Sequence, residues 1–375
     1  MYGAGEIMKV LYVCSKSLKT AQTGAATQAR ETFHALVRHG CEVTRIYAQI
    51  PPGIFEEEDG SVLDEVQVQR LIESHDVTHL IYCSRPVVAY WRRFCPHRPT
   101  VGSTVFWSGW ERVRIAHQNM KPGFGRLHSE LSSIRQMFPF ANDFRGIDVF
   151  LPNSQAEAGK IQSSYRASRG SFCVPVPNGF CAPSFSVSEL PRSPLAPKGA
   201  YIVVPAVFAP RKNQLGLIKA LADVDIQIVF MGAPLVSSEA RWIYEKCKIR
   251  ANSRMHFIGY VSSESTEYWR LLAHAQCACL SSDCETPGIA MIEAAYAGAR
   301  PVITRFGGTM EYFGFDAEYF TPYDGRQIRE AVVRALSRGR LSESRATSYL
   351  QYSWDYCAMQ TIEAYRLALG GTCVC

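Results

Sequence analysis

No apolar run in these 375 residues approaches the ~20 needed to cross a bilayer. The opening MYGAGEIMKVLYVC lacks the basic-then-apolar order of a secretory signal, and Met8 offers an internal start downstream of MYGAGEI. The thirteen cysteines contain no CxxC pair and no His/Cys cluster. That excludes a zinc ribbon and a thioredoxin-like redox pair. The odd count and irregular spacing, with CAC at Cys277–Cys279 and a terminal CVC, imply reduced thiols and a cytoplasmic setting. HExxH, GxSxG and Walker A patterns are missing, and the histidines show no metal spacing, so no metal centre is expected. No nucleic-acid-binding motif is present, and no nucleic-acid partner is expected.

What is present is ordinary for a globular protein: 47% hydrophobic and 20% charged residues. The length exceeds one typical core, which predicts two domains. The net charge of +6 is concentrated. Residues 85 to 135 hold Arg85, Arg92, Arg93, Arg98, Arg112, Arg114, Lys121, Arg126 and Arg135 against Glu111 and Glu130, a net of +7. Tyr90, Trp91, Phe94, Phe106, Trp107, Trp110 and Phe124 interleave with them. Such a surface suits an anionic membrane, touched peripherally, or a phosphorylated ligand. A solvated face with scattered core aromatics explains it equally well.

Apolar runs separated by helical patterns alternate along the chain. Lys9–Cys14, Glu42–Ala48, His79–Cys83, Val101–Trp107, Gly146–Ser154 and Phe172–Gly179 read as strands, with a helix over Ala25–His39. The Pro/Ser-rich stretch Cys181–Gly199 reads as a linker. The pattern then restarts with strands at Ala200–Pro205, Ile226–Gly232, Met255–Gly259, Cys277–Ser282 and Pro301–Thr304. Helices are expected at Asn213–Leu221, Gly288–Ala297 and Gln327–Leu336. The last, Trp354–Leu369, is placed to cross back to the first domain. This is an α/β chain of two doubly wound parallel sheets: residues 1–180, linker 181–199, residues 200–352, and a C-terminal helix in 353–375. Ligands are expected where the C-terminal strand ends of the two sheets face a central cleft.

The run SSDCETPGIAMIEAAYAGARPVITRFGG holds the most informative pair, Glu285 and Glu293. The segment Gly288–Ala297 is apolar all round apart from Glu293, so it reads as a buried helix. A buried carboxylate needs a partner or costs several kcal/mol. Glu293 is therefore expected to face a hydrogen-bond donor. Glu285 precedes the helix in a turn with Thr286, Pro287 and Gly288. On one straight helix the two would be roughly 12 Å apart along the axis; with Glu285 in the loop, both can border a pocket at the helix N-terminus, where anions bind readily. A helix cap plus one structural Glu is the plainer alternative. Cys284 lies next to Glu285, but nothing positions a base beside it, so it reads as a bystander.

Three further loops lie at predicted strand ends. Arg211 and Lys212, in AVFAPRKNQ, put two cations just before a helix start, which suits phosphate. Gly24, in Thr23-Gly24-Ala25, permits close backbone approach. Gly307-Gly308, after PVITRF, offers backbone donors. The DxD at Asp223-Val224-Asp225 falls in a helix-to-strand turn, at the wrong end of its sheet to hold a metal–nucleotide.

These residues resemble the retaining family 4 glycosyltransferases of GT-B fold (glycosyl transferases group 1), over nearly the whole chain. MKVLYVC with its small-residue loop, RHGCEVTRIYA, DVFLPNS and VPNGF are similar to that family's N-terminal half. RKNQLGLIKAL, HFIGYVS and ETPGIAMIEAAYAGARPVITRFGGTMEYF are similar to its nucleotide-sugar half, with Glu285 and Glu293 as the E-x7-E element. The resemblance implies a hexosyltransferase, acting with retention and without metal, on a UDP-, GDP- or ADP-linked sugar. The acceptor would be a glycan or lipid-linked molecule in cell-surface polysaccharide or glycolipid synthesis. It implies that Glu293 holds the ribose hydroxyls and Glu285 the donor sugar. Backbone at Thr286, Gly288 and Ile289 would hold sugar and phosphate, and Lys212 and Arg211 would neutralise the diphosphate. Departures exist: FWSGW stands where the family has a His, Ala206-Val207 where many members have Gly-Arg, and Thr286-Pro287 where a small residue and Phe are usual. A degenerate GT-B protein that binds sugar or a partner without catalysis, or another GT-B chemistry, stays open.

Overall fold

The computed structural model describes residues 7–19, 21, 23–49, 53–82, 85–94, 98–120, 123–138, 144–165 and 171–370. Cys83, Lys121 and the CVC tail, and the side chains of Arg85, Phe94, Glu111 and Phe124, lie outside the described residues. The strands are β1 Lys9–Ser15, β2 Glu42–Gln49, β3 Ile54–Glu56, β4 Val62–Leu63, β5 Val77–Ile81, β6 Thr100–Ser103, β7 Val149–Leu151 and β8 Phe172–Cys173, then β9 Tyr201–Pro205, β10 Gln227–Met231, β11 Met255–Gly259, β12 Cys277–Leu280, β13 Arg300–Thr304 and β14 Glu318–Phe320. The helices are α1 Gly24–Arg38, α2 Glu65–Ser74, α3 Arg85–Phe94, α4 Trp110–Asn119, α5 Phe124–Arg135, α6 Gln155–Ser164 and α7 Gln214–Ala220, then α8 Ser238–Arg250, α9 Thr266–Ala273, α10 Ile289–Tyr296, α11 Thr309–Phe313, α12 Gly325–Arg338, α13 Glu343–Ser348 and α14 Trp354–Ala368. None of the described helices is long and apolar enough to cross a membrane.

The chain divides into two compact units. The first holds residues 1–107, 136–179 and 352–375. Its sheet runs β4-β3-β2-β1-β5-β6-β7-β8, parallel except for β3 and β4, which pair antiparallel at one edge. Central strand β1 is buried along Val10–Cys14, the continuous apolar run that a strand covered on both faces requires. The C-terminal helix α14 packs on α1: Arg38 meets Asp355 at 2.9 Å, and Cys357 lies 3.8 Å from Thr32. Buried His79 on β5 is held between Tyr365 (2.6 Å) and Ser103 (2.8 Å), and burial lowers its pKa to about 3, so it is neutral. Gly179 is required at its position: a Cβ would lie 2.6 Å from the Ser353 backbone.

The second unit holds residues 108–135 and 180–351. Its sheet, β11-β10-β9-β12-β13-β14, is parallel throughout. Its core joins Ile202, Val204, Ile228 and Phe230 of the strands to Leu217, Ile218 and Val332 of the helices. Residues 108–135, which fall inside the expected first domain, thus group with the second unit. The basic-aromatic segment is therefore not one face. Trp91 and Phe106 are core residues, Trp107 lies under Lys160 (4.9 Å), and Trp110 is exposed.

Candidate functional site

In the second sheet the chain moves from β9 outward through β10 and β11, then returns to the other side of β9 as β12. The switch in strand order falls between β9 and β12, where loops diverge and a crevice forms beyond the strand ends. The loops after these two strands carry the charged residues. After β9 comes a single 3-10 turn, Pro210–Lys212, ended by Asn213 in the left-handed conformation (φ 53°). The turn presents Arg211 and Lys212 just ahead of α7, which begins at Gln214 after Asn213 as its cap, where the helix over Asn213–Leu221 was expected.

The turn is held firmly. Asn213 donates through Nδ2 to the Pro322 carbonyl (2.6 Å), and its Oδ1 accepts from Asn119 on α4 (2.8 Å). The Ser281 hydroxyl donates to the Lys212 carbonyl (2.9 Å), and the Asp283 N–H donates to the Arg211 carbonyl (2.8 Å). The loop after β12 is thereby stitched to the loop after β9. It is also stitched to the loop after β13, because the Glu285 N–H donates to the Phe306 carbonyl (3.1 Å) and the Gly308 N–H donates to the Glu285 carbonyl (3.0 Å). Three loops thus converge on Glu285.

Lys212 Nζ lies 2.5 Å from Glu285 Oε1; Glu285 is buried and Lys212 mostly so. The Ser282 hydroxyl donates to the same oxygen at 2.5 Å. Arg211 stands 3.9 Å from Glu285 and 3.7 Å from Asp283. Burial alone would push the Glu285 carboxyl up, but Lys212 and then Arg211 hold it below its ordinary value. For Lys212, burial and neighbouring Arg211 push the ammonium down, against the pull of Glu285. The pair is thus charged on both sides with little water around it, a condition in which a third charged group is strongly felt. Beside it begins α10, whose cap Gly288 (φ 85°) provides no side-chain hydrogen bond to the first N–H groups. A Cβ on Gly288 would sit 3.3 Å from Glu285 Oε2, so the carboxylate lies against the helix start. Uncapped N–H groups with the positive end of the helix dipole and two cations form a site for a di-anion. Thr286 and Ile289 flank Gly288 there, with Thr286 buried.

Glu293 sits further along α10, buried, and does find its donor: the Tyr268 hydroxyl on α9, at 2.5 Å from Oε2. Burial pushes its carboxyl up to about 7 against that hydrogen bond. No hydrogen bond joins Glu293 to Glu285; the structure gives each its own partner. Gly307 has φ 103°, and a Cβ there would come within 1.9 Å of the Glu285 carbonyl. Its role is close approach. The Gly308 N–H is already committed to Glu285, which corrects its expected use as a free donor. Gly24 lies in the first unit, exposed, as the first residue of α1, behind Thr23, whose hydroxyl caps Ala26 (3.4 Å). Asp223 is solvent-facing and, among the described residues, pairs with Arg329 (3.7 Å), away from these loops. Burial pushes the Cys284 thiol far up, in keeping with a bystander.

Residues 188–348 match the family described as glycosyl transferases group 1. This part of the chain is similar to that family. An uncharacterized glycosyltransferase, MJ1607 of Methanocaldococcus jannaschii, is 28% identical over 120 residues, which span 30% of this chain and 30% of that relative. Among solved structures, a sucrose-phosphate synthase from Thermosynechococcus elongatus superposes with a TM-score of 0.68 at 14% identity, covering 97% of this chain and 99% of that one. Alr3699/HepE of Anabaena, in complex with UDP and glucose, superposes with a TM-score of 0.63 at 16% identity, covering 95% and 98%. The fold is the GT-B fold of such glycosyltransferases: two Rossmann-like α/β units. The group 1 match spans the loops of Arg211, Lys212, Glu285 and Gly307 and helix α10 with Glu293.

Several residues of the site were not among those picked from the sequence. Ser282 and Asp283 lie three and two positions before Glu285, and Asp283 is the one with a readable signal, a second acid. Arg112 and Asn119 come from α4, some ninety to 170 residues upstream of what they touch. Tyr268 lies on a different helix from Glu293.

Proposed function

We propose that this protein is a retaining, metal-independent glycosyltransferase that moves a hexose from a nucleoside-diphosphate sugar to a glycan or lipid-linked acceptor, in cell-surface polysaccharide or glycolipid synthesis. The observation that carries this reading is the Lys212–Glu285 pair, with Arg211 beside it, at the uncapped start of α10. When the donor binds, its diphosphate takes Glu285's place as the partner of Lys212. Glu285 then accepts hydrogen bonds from the hexose, and Thr286, Gly288 and Ile289 offer backbone to sugar and phosphate. Lys212, Arg211 and the helix start stabilise the charge that develops on the leaving diphosphate, in place of a metal ion. The acceptor hydroxyl attacks from the face the nucleotide leaves, and its proton passes to a diphosphate oxygen. Glu293 accepts from the ribose.

The solved relative holding UDP and glucose supports a UDP-sugar as the first donor to try. Exposed Trp110, Leu127 and Leu131 on α4 and α5 support an apolar or lipid-linked acceptor and a peripheral contact with an anionic membrane. The deciding experiment is calorimetric binding of UDP, GDP and ADP, each in EDTA and in Mg²⁺. One diphosphate bound equally well in both supports the proposal and names the donor class. Binding that requires Mg²⁺ overturns the metal-free site. Binding without turnover of any matching sugar nucleotide favours a binding protein on the same fold.

A further inference from the structure

Glu293 is held by one side chain, and that side chain is outside every motif considered so far. The Tyr268 hydroxyl donates to Glu293 Oε2 at 2.5 Å. The direction is unambiguous for an ionised carboxylate, which can only accept. Glu293 Oε1 has no hydrogen bond among the described residues, and it is not one of the buried unpartnered polar atoms, so it still touches solvent. One oxygen is thus committed and the other is presented. Tyr268 is itself fixed. Its N–H is capped by Ser265 (3.2 Å), its ring packs edge-on against Trp269 (5.6 Å), and the Trp269 indole donates to the Ser263 carbonyl (2.9 Å).

We propose that Tyr268 is a positioning residue for the nucleotide's ribose: its hydroxyl clamps Glu293 Oε2 and turns Oε1 toward a ribose hydroxyl. This rests on the reading of Glu293 as the ribose acceptor. The other ionisable groups on elements packed against α10 have their own partners. Glu267 on α9 pairs with Arg270 (3.6 Å). Arg300 on β13 donates to the carbonyls of Gly339 and Asp316, and Arg345 on α13 pairs with Asp316 (2.7 Å). The thiols Cys277 and Cys279 on β12 are neutral, pushed up by burial; Glu343 opens α13 facing solvent. Burial raises the Glu293 carboxyl, and the Tyr268 hydrogen bond is the side-chain contact that holds it down.

The test measures binding of UDP and of 2′,3′-dideoxy-UDP from pH 5.5 to 8.5, with the GDP and ADP pairs alongside. In the parent protein the preference for the ribose form rises as Glu293 ionises, while dideoxy binding stays flat. In Tyr268→Phe the preference at pH 7 falls about tenfold, the loss of one hydrogen bond to a charged group, and its midpoint moves to higher pH. A 3-fluorotyrosine at position 268, a stronger donor of the same shape, moves the midpoint lower and keeps the result readable if Tyr268→Phe folds poorly. An unchanged preference and midpoint in both variants overturns the proposal. So does an equal loss for ribose and dideoxy forms, which would mark a role in folding alone. If Glu293→Gln binds both forms as the parent does, the ribose reading itself has failed, and that outcome is separable from the others.

Discussion

Arg112, on α4, reaches the buried carboxylate of Asp283 at 3.3 Å across 171 positions of sequence. Asp283 also faces Arg211 at 3.7 Å. Arg112 therefore shares a counter-ion with a cation of the diphosphate site. Without Arg112, Asp283 keeps the Cys284 N–H (2.7 Å) and has Arg211 as its charged partner among the described residues, so it draws Arg211 away from Glu285. Arg112→Ala is expected to weaken nucleoside-diphosphate binding several-fold and to cost about 1 to 2 kcal/mol of stability, less than a fully unpaired buried charge would. Because both changes act through one carboxylate, Arg112→Ala and Asp283→Asn should be non-additive in a double-mutant cycle. Additive effects on binding would show that the two charges are independent.

Lys212 and Glu285 should separate in their effects. Lys212→Met removes the cation facing the leaving diphosphate, so turnover is expected to fall by about 10²- to 10³-fold, the scale of one lost charge-stabilising donor. It should also weaken diphosphate binding while leaving nucleoside binding unchanged. Glu285→Gln leaves Lys212 free for phosphate, so nucleotide binding persists or tightens while transfer falls. Steady-state kinetics with the identified donor, together with calorimetry, distinguish the two patterns. Equal turnover in Lys212→Met and the parent would remove Lys212 from the reaction.

Glu157 gives a pH signature that belongs to the first unit. Its carboxylate is fully buried, accepting from the Phe106 and Asn153 (2.9 Å) N–H groups and from Thr104 (3.0 Å). Burial nevertheless raises it to about 7, against those hydrogen bonds. The folded state then keeps a proton that the unfolded chain releases near pH ~4.3. Between those values the folded state binds more protons, so this group's contribution to stability falls as pH rises and levels off above about 7. Urea midpoints from pH 5 to 8 should fall less steeply for Glu157→Gln than for the parent. The gap should open by about 2 to 4 kcal/mol across that window. Parallel profiles would mean that the carboxylate is ionised throughout.

The long apolar strands were legible because burial on both faces leaves a continuous run. Lys9–Cys14 and Ala200–Pro205 coincide with β1 and β9 to within a residue. Short elements were not. Ile54–Glu56 and Val62–Leu63 form an antiparallel edge from too few residues to show a period. The strand expected over Phe172–Gly179 stops at Cys173, ahead of Pro175 and Pro177, which have no N–H to pair. Val101–Trp107 was overextended because residues 104–106 leave the sheet to bind Glu157. At the site, the isolated charge in an apolar helix correctly demanded a donor for Glu293. The donor's identity, Tyr268, depends on how α9 packs against α10, which no local pattern encodes. The same holds for Arg112 and Asp283.

Gly307 is the tightest steric requirement in the site. The loop after β13 passes so close to Glu285 that an added Cβ would stand 1.9 Å from its carbonyl oxygen, with the backbone at φ 103°. Neither backbone can yield without releasing the Gly308-to-Glu285 and Glu285-to-Phe306 hydrogen bonds. Gly339 is the control: its φ is 70°, but nothing lies within 4 Å of a built Cβ. With ψ at -170° Gly339 sits in a region nearly confined to glycine, so Gly339→Ala should cost about 1 to 3 kcal/mol, the backbone penalty alone. Gly307→Ala adds the collision and the lost pairing, so about 3 kcal/mol or more is expected. Since those hydrogen bonds set the position of Glu285, Gly307→Ala should also impair transfer in whatever fraction stays folded, whereas Gly339→Ala should leave it intact. Denaturant midpoints and activity per folded molecule, measured for both variants, test the two parts separately. Equal stability costs would show that the loop after β13 can move away from Glu285 without penalty.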